Sequence, residues 1–219
     1  MSEGWIVADW SAPPNIIAGT VLREGRLEDC GLSGEPCWLQ QVHGGTVVVA
    51  TRFAQPPEAD AAISHSPGNI CVVRTADCLP VLLCATDGTE VAAVHAGWRG
   101  LAAGIIEATI ARLQHAPGDL LVWLGPAISQ AAFEVGDEVR AAFVDQEPDD
   151  AGHFVANSRG RWQADLYGLA SARLRRLGVA LIAGGGFCTY TDRARFFSYR
   201  RNPDCGRMVS FVALQGLEK

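Results

Sequence analysis

The sequence predicts an α/β fold in which mixed sheets pack against a small number of helices. Apolar runs of strand length recur along the chain, and two segments switch to helical spacing. The two kinds of segment interleave irregularly, which fits mixed sheets better than a regular doubly wound one. The first forty residues are weakly patterned around Pro13-Pro14, with a strand expected at Ile16–Leu22. Thr46–Ala50 is short and β-branched, Ile70–Thr75 and Leu79–Cys84 are apolar, and Glu90–His95 runs into Ala96-Gly97-Trp98-Arg99-Gly100; all four read as strands. Over 101–115, Leu101, Ile105, Ile106, Thr109, Ile110 and Leu113 share one helical face, and Pro117-Gly118 ends it. Leu120–Leu124 reads as a strand and 136–145 as a helix. Asp165–Leu177 reads as an amphipathic helix, with Leu166, Leu169, Ala170, Leu174 and Leu177 inward, Arg173, Arg175 and Arg176 outward, and Gly178 after its C-terminus. Val179–Ala183, Arg195–Tyr199 and Met208–Leu214 are the remaining expected strands.

Composition narrows the function. The 219 residues are 48% hydrophobic and 19% charged, enough for a sizeable core and unlike a disordered chain. The formal net charge is −6, with no basic block, which argues against a partner bound through a nucleic-acid backbone. No apolar run reaches the length needed to span a bilayer, and Met1-Ser2-Glu3-Gly4-Trp5 lacks the pattern of a signal peptide, so no membrane association and a cytoplasmic location are expected. The seven cysteines (30, 37, 71, 78, 84, 188 and 205) form no Cys-x-x-Cys pair, which gives no support to a zinc ribbon or a thioredoxin-type site. Most read as small buried hydrophobes.

Three positions carry the chemistry: His43 in Gln40-Gln41-Val42-His43-Gly44, Cys78 in Thr75-Ala76-Asp77-Cys78-Leu79-Pro80, and His95 in Val94-His95-Ala96-Gly97. Each stands at the edge of an expected strand beside a turn. Two imidazoles and a thiolate can hold zinc with a fourth position open to water or substrate, as catalytic sites do. The spacing alone does not separate this from two ordinary histidines and a buried cysteine. Arg99, beside Trp98 where a strand meets a helix, could form an anion pocket or simply be exposed. Asp77 would point away from Cys78 if the strand continued through both. Glu134 reads either as an acid or base near the pocket or as a helix-start carboxylate. One of Arg200 and Arg201 could meet phosphate. Cys188, after Gly184-Gly185-Gly186, suggests close backbone packing, and His65, His115 and His153 read as surface residues.

Gln41-Val42-His43-Gly44, Thr75-Ala76-Asp77-Cys78-Leu79-Pro80 and His95-Ala96-Gly97-Trp98-Arg99-Gly100 resemble the signature of one family, the YfiH-like or laccase-domain proteins, long called multicopper polyphenol oxidases. Gly125-Pro126-Ala127-Ile128, Phe133-Glu134-Val135-Gly136, Cys188-Thr189-Tyr190, Phe196-Phe197-Ser198-Tyr199-Arg200-Arg201 and Gly206-Arg207-Met208 follow in the family's order. The resemblance runs from about residue 37 to the C-terminus. It implies a four-layer α/β/β/α sandwich like that of the cytotoxic necrotizing factor deamidating domain, and zinc held by His43, Cys78 and His95. It also implies phosphorolysis of purine nucleosides such as adenosine, inosine or methylthioadenosine, with adenosine deamination as a further activity. The expected partners are a purine nucleoside and phosphate. Cys78, His95 and Arg99 would be catalytic, and Trp98, Arg99 and Arg200 would bind substrate. The sequence departs from the family before residue 37, where the span is too short for a Thr-Arg-x-Gly-Gly and Asn-Leu-Gly segment. One domain over 1–219 with a shortened segment 1–36 is therefore expected.

Three alternatives come from other classes, one of them a non-catalytic binding protein that lost activity with the N-terminal segment. A Cys–His hydrolase or amidase, one member having been called a peptidoglycan editing factor, would use Cys78 as nucleophile and His95 as base. A copper-dependent polyphenol oxidase needs several coppers, and five histidines with no His-x-His pair are a poor supply, although copper binding in vitro at a His₂Cys site follows from the affinity order.

Overall fold

The computed structural model describes residues 4–216, so Met1–Glu3 of the N-terminal reading lie outside the described residues. In chain order the strands are β1 (Trp5–Val7), β2 (Ile16–Val21), β3 (Gly34–Cys37), β4 (Val47–Val49), β5 (Ala61–Ser64), β6 (Gly68–Thr75) and β7 (Leu79–Ala85). They continue with β8 (Val91–Ala96), β9 (Leu120–Leu124), β10 (Glu134–Val135), β11 (Phe154–Ala156), β12 (Trp162–Ala164), β13 (Leu181–Gly184) and β14 (Met208–Leu214). The helices are α1 (Trp98–Ala102), α2 (Ile105–Ile110), α3 (Asp137–Val144) and α4 (Leu166–Arg176). No helix among the described residues is long and apolar enough to cross a membrane.

Two mixed sheets stack face to face. One has the order β1-β2-β14-β6-β3, the other β13-β9-β7-β8-β5-β4, and a small sheet β10-β12-β11 stands apart. Period-2 alternation sorts each strand between cores. Leu79, Val81 and Leu83 of β7 face the core shared with the helices, while Leu82 and Cys84 face the core between the sheets. In β6, Cys71 and Val73 point between the sheets, and Ile70 and Val72 point to the outer face. Burying one such side chain contributes about 1.5–3 kcal/mol, and a one-residue slip would exchange the two faces of a whole strand. The register is therefore fixed by packing on both sides. Leu27 and Leu32 cover the outer face, where the fourth layer is a single 3-10 turn, Leu27–Cys30.

Several expectations are corrected. The helix over 101–115 is two short ones, because Gly104 adopts φ +81 between α1 and α2. Arg173 is not outward: it is 6% exposed, 2.7 Å from Glu107 on α2 and over the Phe143 ring. Arg195–Tyr199 is not a strand. There the Arg201 guanidinium donates to the carbonyls of Thr189, Tyr190 and Phe196, holding the loop without a ladder. Glu134 lies in β10 rather than at a helix start; its carboxylate accepts from Asn157 and pairs with Arg159. His65 and His115 are not free surface groups, since both contact the buried carboxylate of Glu90.

Candidate metal centre

Sheet register brings the distant residues together. β7 and β8 are antiparallel, with Leu79 opposite Ala96 and Pro80 opposite His95. Cys78, one residue before β7, and His95, one residue before the end of β8, thus share one end of the six-stranded sheet. His43 arrives from the loop between β3 and β4 in a left-handed conformation, φ 59, that a β-carbon disfavours. The ligand atoms of His43, Cys78 and His95 all lie within 4.8 Å of one another, and the two imidazole centroids are 4.7 Å apart.

Asp60 supports this arrangement, and no sequence motif pointed to it. It stands fully buried just before β5. Its carboxylate accepts the backbone N–H groups of Val42, His43 and Gly44 at 3.3, 2.9 and 2.7 Å, which pays for the strained His43 backbone. Its Oδ1 also meets His95 Nδ1 at 2.7 Å, and its carbonyl accepts the His95 N–H. His95 therefore keeps Nε2 free for a ligand, as in a carboxylate–histidine–metal arrangement. The available signal was an acidic residue directly before an apolar strand, which is too common to be diagnostic.

The electrostatics suit a thiolate. Burial pushes the Cys78 thiol up, but hydrogen bonding and positive charge from His43 and His95 outweigh it and bring the pKa to about 6. Burial pulls His95 down, but hydrogen bonding to Asp60 and Cys78 raises it to about 9. Burial also raises Asp60, yet its bonds from His95 and Gly44 leave it below its ordinary value. A thiolate and two imidazoles, one anchored by a carboxylate, form a donor set that fits a zinc-type ion. By contrast, burial pushes Cys84 up to about 12, as expected of a buried hydrophobe.

Gly97 closes the pocket floor by having no side chain. A β-carbon there would lie 2.9 Å from Cys78 Sγ and 3.1 Å from His43 Nδ1. Gly97→Ala is expected to lower metal occupancy while the melting temperature moves little, because the displaced groups are ligand atoms rather than core; metal analysis beside thermal unfolding checks this.

His43, Cys78 and His95 open into a cavity of about 890 Å³ that Trp98, Arg99 and Arg200 also line. The chain does break between β6 and β7, where Asp77 has φ +86, but its carboxylate is committed to structure. It accepts from Thr189 and Ser198 hydroxyls at 2.6 and 3.0 Å and from the Arg200 N–H at 2.7 Å. Cys188 is not among the cavity-lining residues and receives the Ser129 hydroxyl at 3.0 Å. Nearby, Gly184 packs so closely that a β-carbon would sit 2.5 Å from the Leu124 carbonyl.

The chain is similar to proteins of known sequence and structure. A family profile described as multi-copper polyphenol oxidoreductase laccase matches residues 22–215. The Pseudomonas aeruginosa purine nucleoside phosphorylase PA4543 is 46% identical over 242 aligned positions, covering 97% of this chain and 99% of that protein. The Escherichia coli purine nucleoside phosphorylase YfiH is 50% identical over 184 positions, 84% of this chain and 75% of that one. The crystal structure of Neisseria meningitidis protein NMB0706 superimposes with a TM-score of 0.91 at 38% identity, over 98% of this chain and 100% of that one. On the profile match and these identities, the chain belongs to the multi-copper polyphenol oxidoreductase laccase family, the YfiH-like proteins.

Proposed function

We propose that this protein is a single-domain, zinc-dependent purine nucleoside phosphorylase, with His43, Cys78 and His95 as the metal ligands. The observation that carries the proposal is the convergence of these three groups in one cavity with Arg99 and Trp98; the names of the relatives point the same way. In phosphorolysis, a phosphate oxygen bonds to the anomeric carbon as the C–N glycosidic bond breaks, and the purine leaves with that electron pair and a proton. The ribose passes through an oxocarbenium-like transition state. His43, Cys78 and His95 would hold a zinc ion, which when bound would supply Lewis acidity toward the departing base or a water. The chain's own residues do the rest. Asp60 fixes the His95 ring and, through three backbone bonds, the His43 loop. Trp98 gives the purine or ribose an apolar wall, and Arg99, exposed and lying 4.5 Å over the Trp98 ring, supplies a charged fork for phosphate. Arg200, its main chain pinned by Asp77, is a second contact for substrate.

Arg99→Ala is expected to raise KM for phosphate, or lower kcat/KM, by roughly tenfold or more, as loss of a charge-assisted pair implies, with zinc content unchanged. Steady-state kinetics at varied phosphate check it. Incubating the protein with adenosine and phosphate tests the function itself: adenine plus ribose 1-phosphate supports it, and inosine alone would make the enzyme a deaminase.

The Asp60–His95–Cys78 chain also suits a Cys–His hydrolase, in which His95 would be oriented by Asp60 and take the thiol proton. A metal bound through Cys78 is incompatible with that role, so metal dependence decides between the two.

A further inference from the structure

Four guanidinium groups line the cavity: Arg74, Arg99, Arg200 and Arg207. Each lies over an aromatic ring, Arg74 on Trp38 at 6.0 Å, Arg99 on Trp98 at 4.5 Å, Arg200 on Phe133 at 5.5 Å and Arg207 on Tyr199 at 5.7 Å. Backbone carbonyls take part of three forks: Leu39 at 3.5 Å from Arg74, Glu134 at 3.0 Å from Arg200, and Cys205 at 2.6 Å from Arg207. Among the described residues, the arginines in ion pairs are Arg23, Arg26, Arg159, Arg173, Arg176 and Arg195, none of these four. The carboxylate in the lining, Asp77, is already engaged by two hydroxyls and a backbone N–H. A protein of net charge −6 thus concentrates four uncompensated, pre-oriented cations in one cavity. Guanidinium planes held on rings keep free donors in a fixed fork suited to phosphate oxygens.

Three of the four come from two walls, while Arg200 lies in a loop with its guanidinium on the Glu134 carbonyl. Arg99 follows β8 of the six-stranded sheet, four residues after His95. Arg74 lies on β6, paired with Val209 of β14 in the other sheet, and Arg207 directly precedes β14. One inorganic phosphate beside the metal set accounts for Arg99 but not for a second cationic wall. The cavity, about 890 Å³, is near the top of the usual small-molecule range of roughly 300–1,000 Å³.

We propose that the substrate is a purine nucleoside carrying its own phosphate ester, a nucleoside 5′-monophosphate, with the ester phosphate held by Arg74 and Arg207. This rests on the phosphorylase reading above. The step balances: the C1′–N9 bond of AMP breaks, a C1′–O bond to hydrogen phosphate forms, and the hydrogen-phosphate proton goes to adenine. The products are adenine and ribose 1,5-bisphosphate.

The test measures binding of AMP, adenosine and inorganic phosphate separately to the full-length, zinc-loaded protein by calorimetry, together with products from AMP plus phosphate. AMP is expected to bind at least about tenfold tighter than adenosine, with the advantage shrinking as salt is raised. In Arg74→Gln/Arg207→Gln the AMP-to-adenosine ratio should fall toward one, and each single variant should lose part of it, which covers any misfolding of the double variant. Equal affinity for AMP and adenosine overturns the proposal, as does a ratio that survives both substitutions. An equal loss of inorganic-phosphate binding would also overturn it, since the arginines would then serve a free anion. Adenosine turnover without AMP binding sinks this inference and leaves the phosphorylase reading standing. Tight, arginine-dependent AMP binding with no release of base from AMP overturns AMP as the substrate; adenine release from adenosine in the same preparation leaves the phosphorylase reading standing, and none from either sinks both.

Discussion

Cys78→Ser is expected to lose most of the bound metal and to cut phosphorolysis by more than about 100-fold, with the fold unchanged. Altering an outer-shell partner of a metal site alone costs roughly 10–100-fold, and here a ligand is replaced. Cys78 is suited to binding because His43 and His95 bring its thiol to about pKa 6, so a thiolate is available near neutral pH. A serine hydroxyl is far harder to ionise and offers no comparable ligand. The swap is nearly isosteric and lies in a turn, so packing changes little. Cys71→Ser and Cys84→Ser are the controls. Both cysteines are fully buried in the core between the sheets, and their serine variants should keep metal and activity. An unsatisfied hydroxyl there costs about 1–3 kcal/mol of stability. Metal analysis, circular dichroism and activity on the three variants separate the outcomes. Loss of activity with metal fully retained would make Cys78 a nucleophile.

Asp60→Asn is expected to damage both the site and the fold although Asp60 is not in the metal set. Its Oδ1 serves the His43 N–H and His95 Nδ1, and its Oδ2 serves the N–H groups of Val42 and Gly44. Whichever way the amide turns, its NH₂ faces donors. Each donor left without an acceptor costs about 1–3 kcal/mol. The His43 backbone loses the bonds that hold its left-handed turn, and His95 loses the partner that fixes its ring. Metal affinity should fall roughly 10–100-fold, with a lower melting temperature. Zinc competition with a chromophoric chelator reads the first, and thermal unfolding the second. Unchanged zinc affinity would mean that Asp60 supports the fold alone.

Leu79–Ala85 and Leu120–Leu124 of the six-stranded sheet were legible as apolar runs of strand length because their residues pack on both faces, whereas the equally buried Ala61–Ser64 was not expected. The edge strands of the five-stranded sheet were not legible. Gly34–Cys37 reads Gly-Glu-Pro-Cys and Trp5–Val7 is three residues long, so neither carries a pattern that period can detect. Arg195–Tyr199 has strand-like composition, yet the Arg201 side chain takes up carbonyls of its loop. Arg173 looked solvent-facing because charge suggests exposure, whereas Glu107 from another helix compensates it inside. At the site, the chemistry of His43, Cys78 and His95 was readable from residue type and turn placement. Their convergence depends on the β7–β8 register and on a carboxylate 35 residues from His95, and neither shows in a local motif.

The most direct measurement is zinc titration of chelator-stripped protein, with adenine release from adenosine and phosphate followed at each addition. If His43, Cys78 and His95 hold the ion that phosphorolysis needs, the stripped protein is inactive and the rate rises linearly to a plateau at one zinc per chain. Full activity in the stripped protein, or a rate indifferent to added zinc, would contradict it.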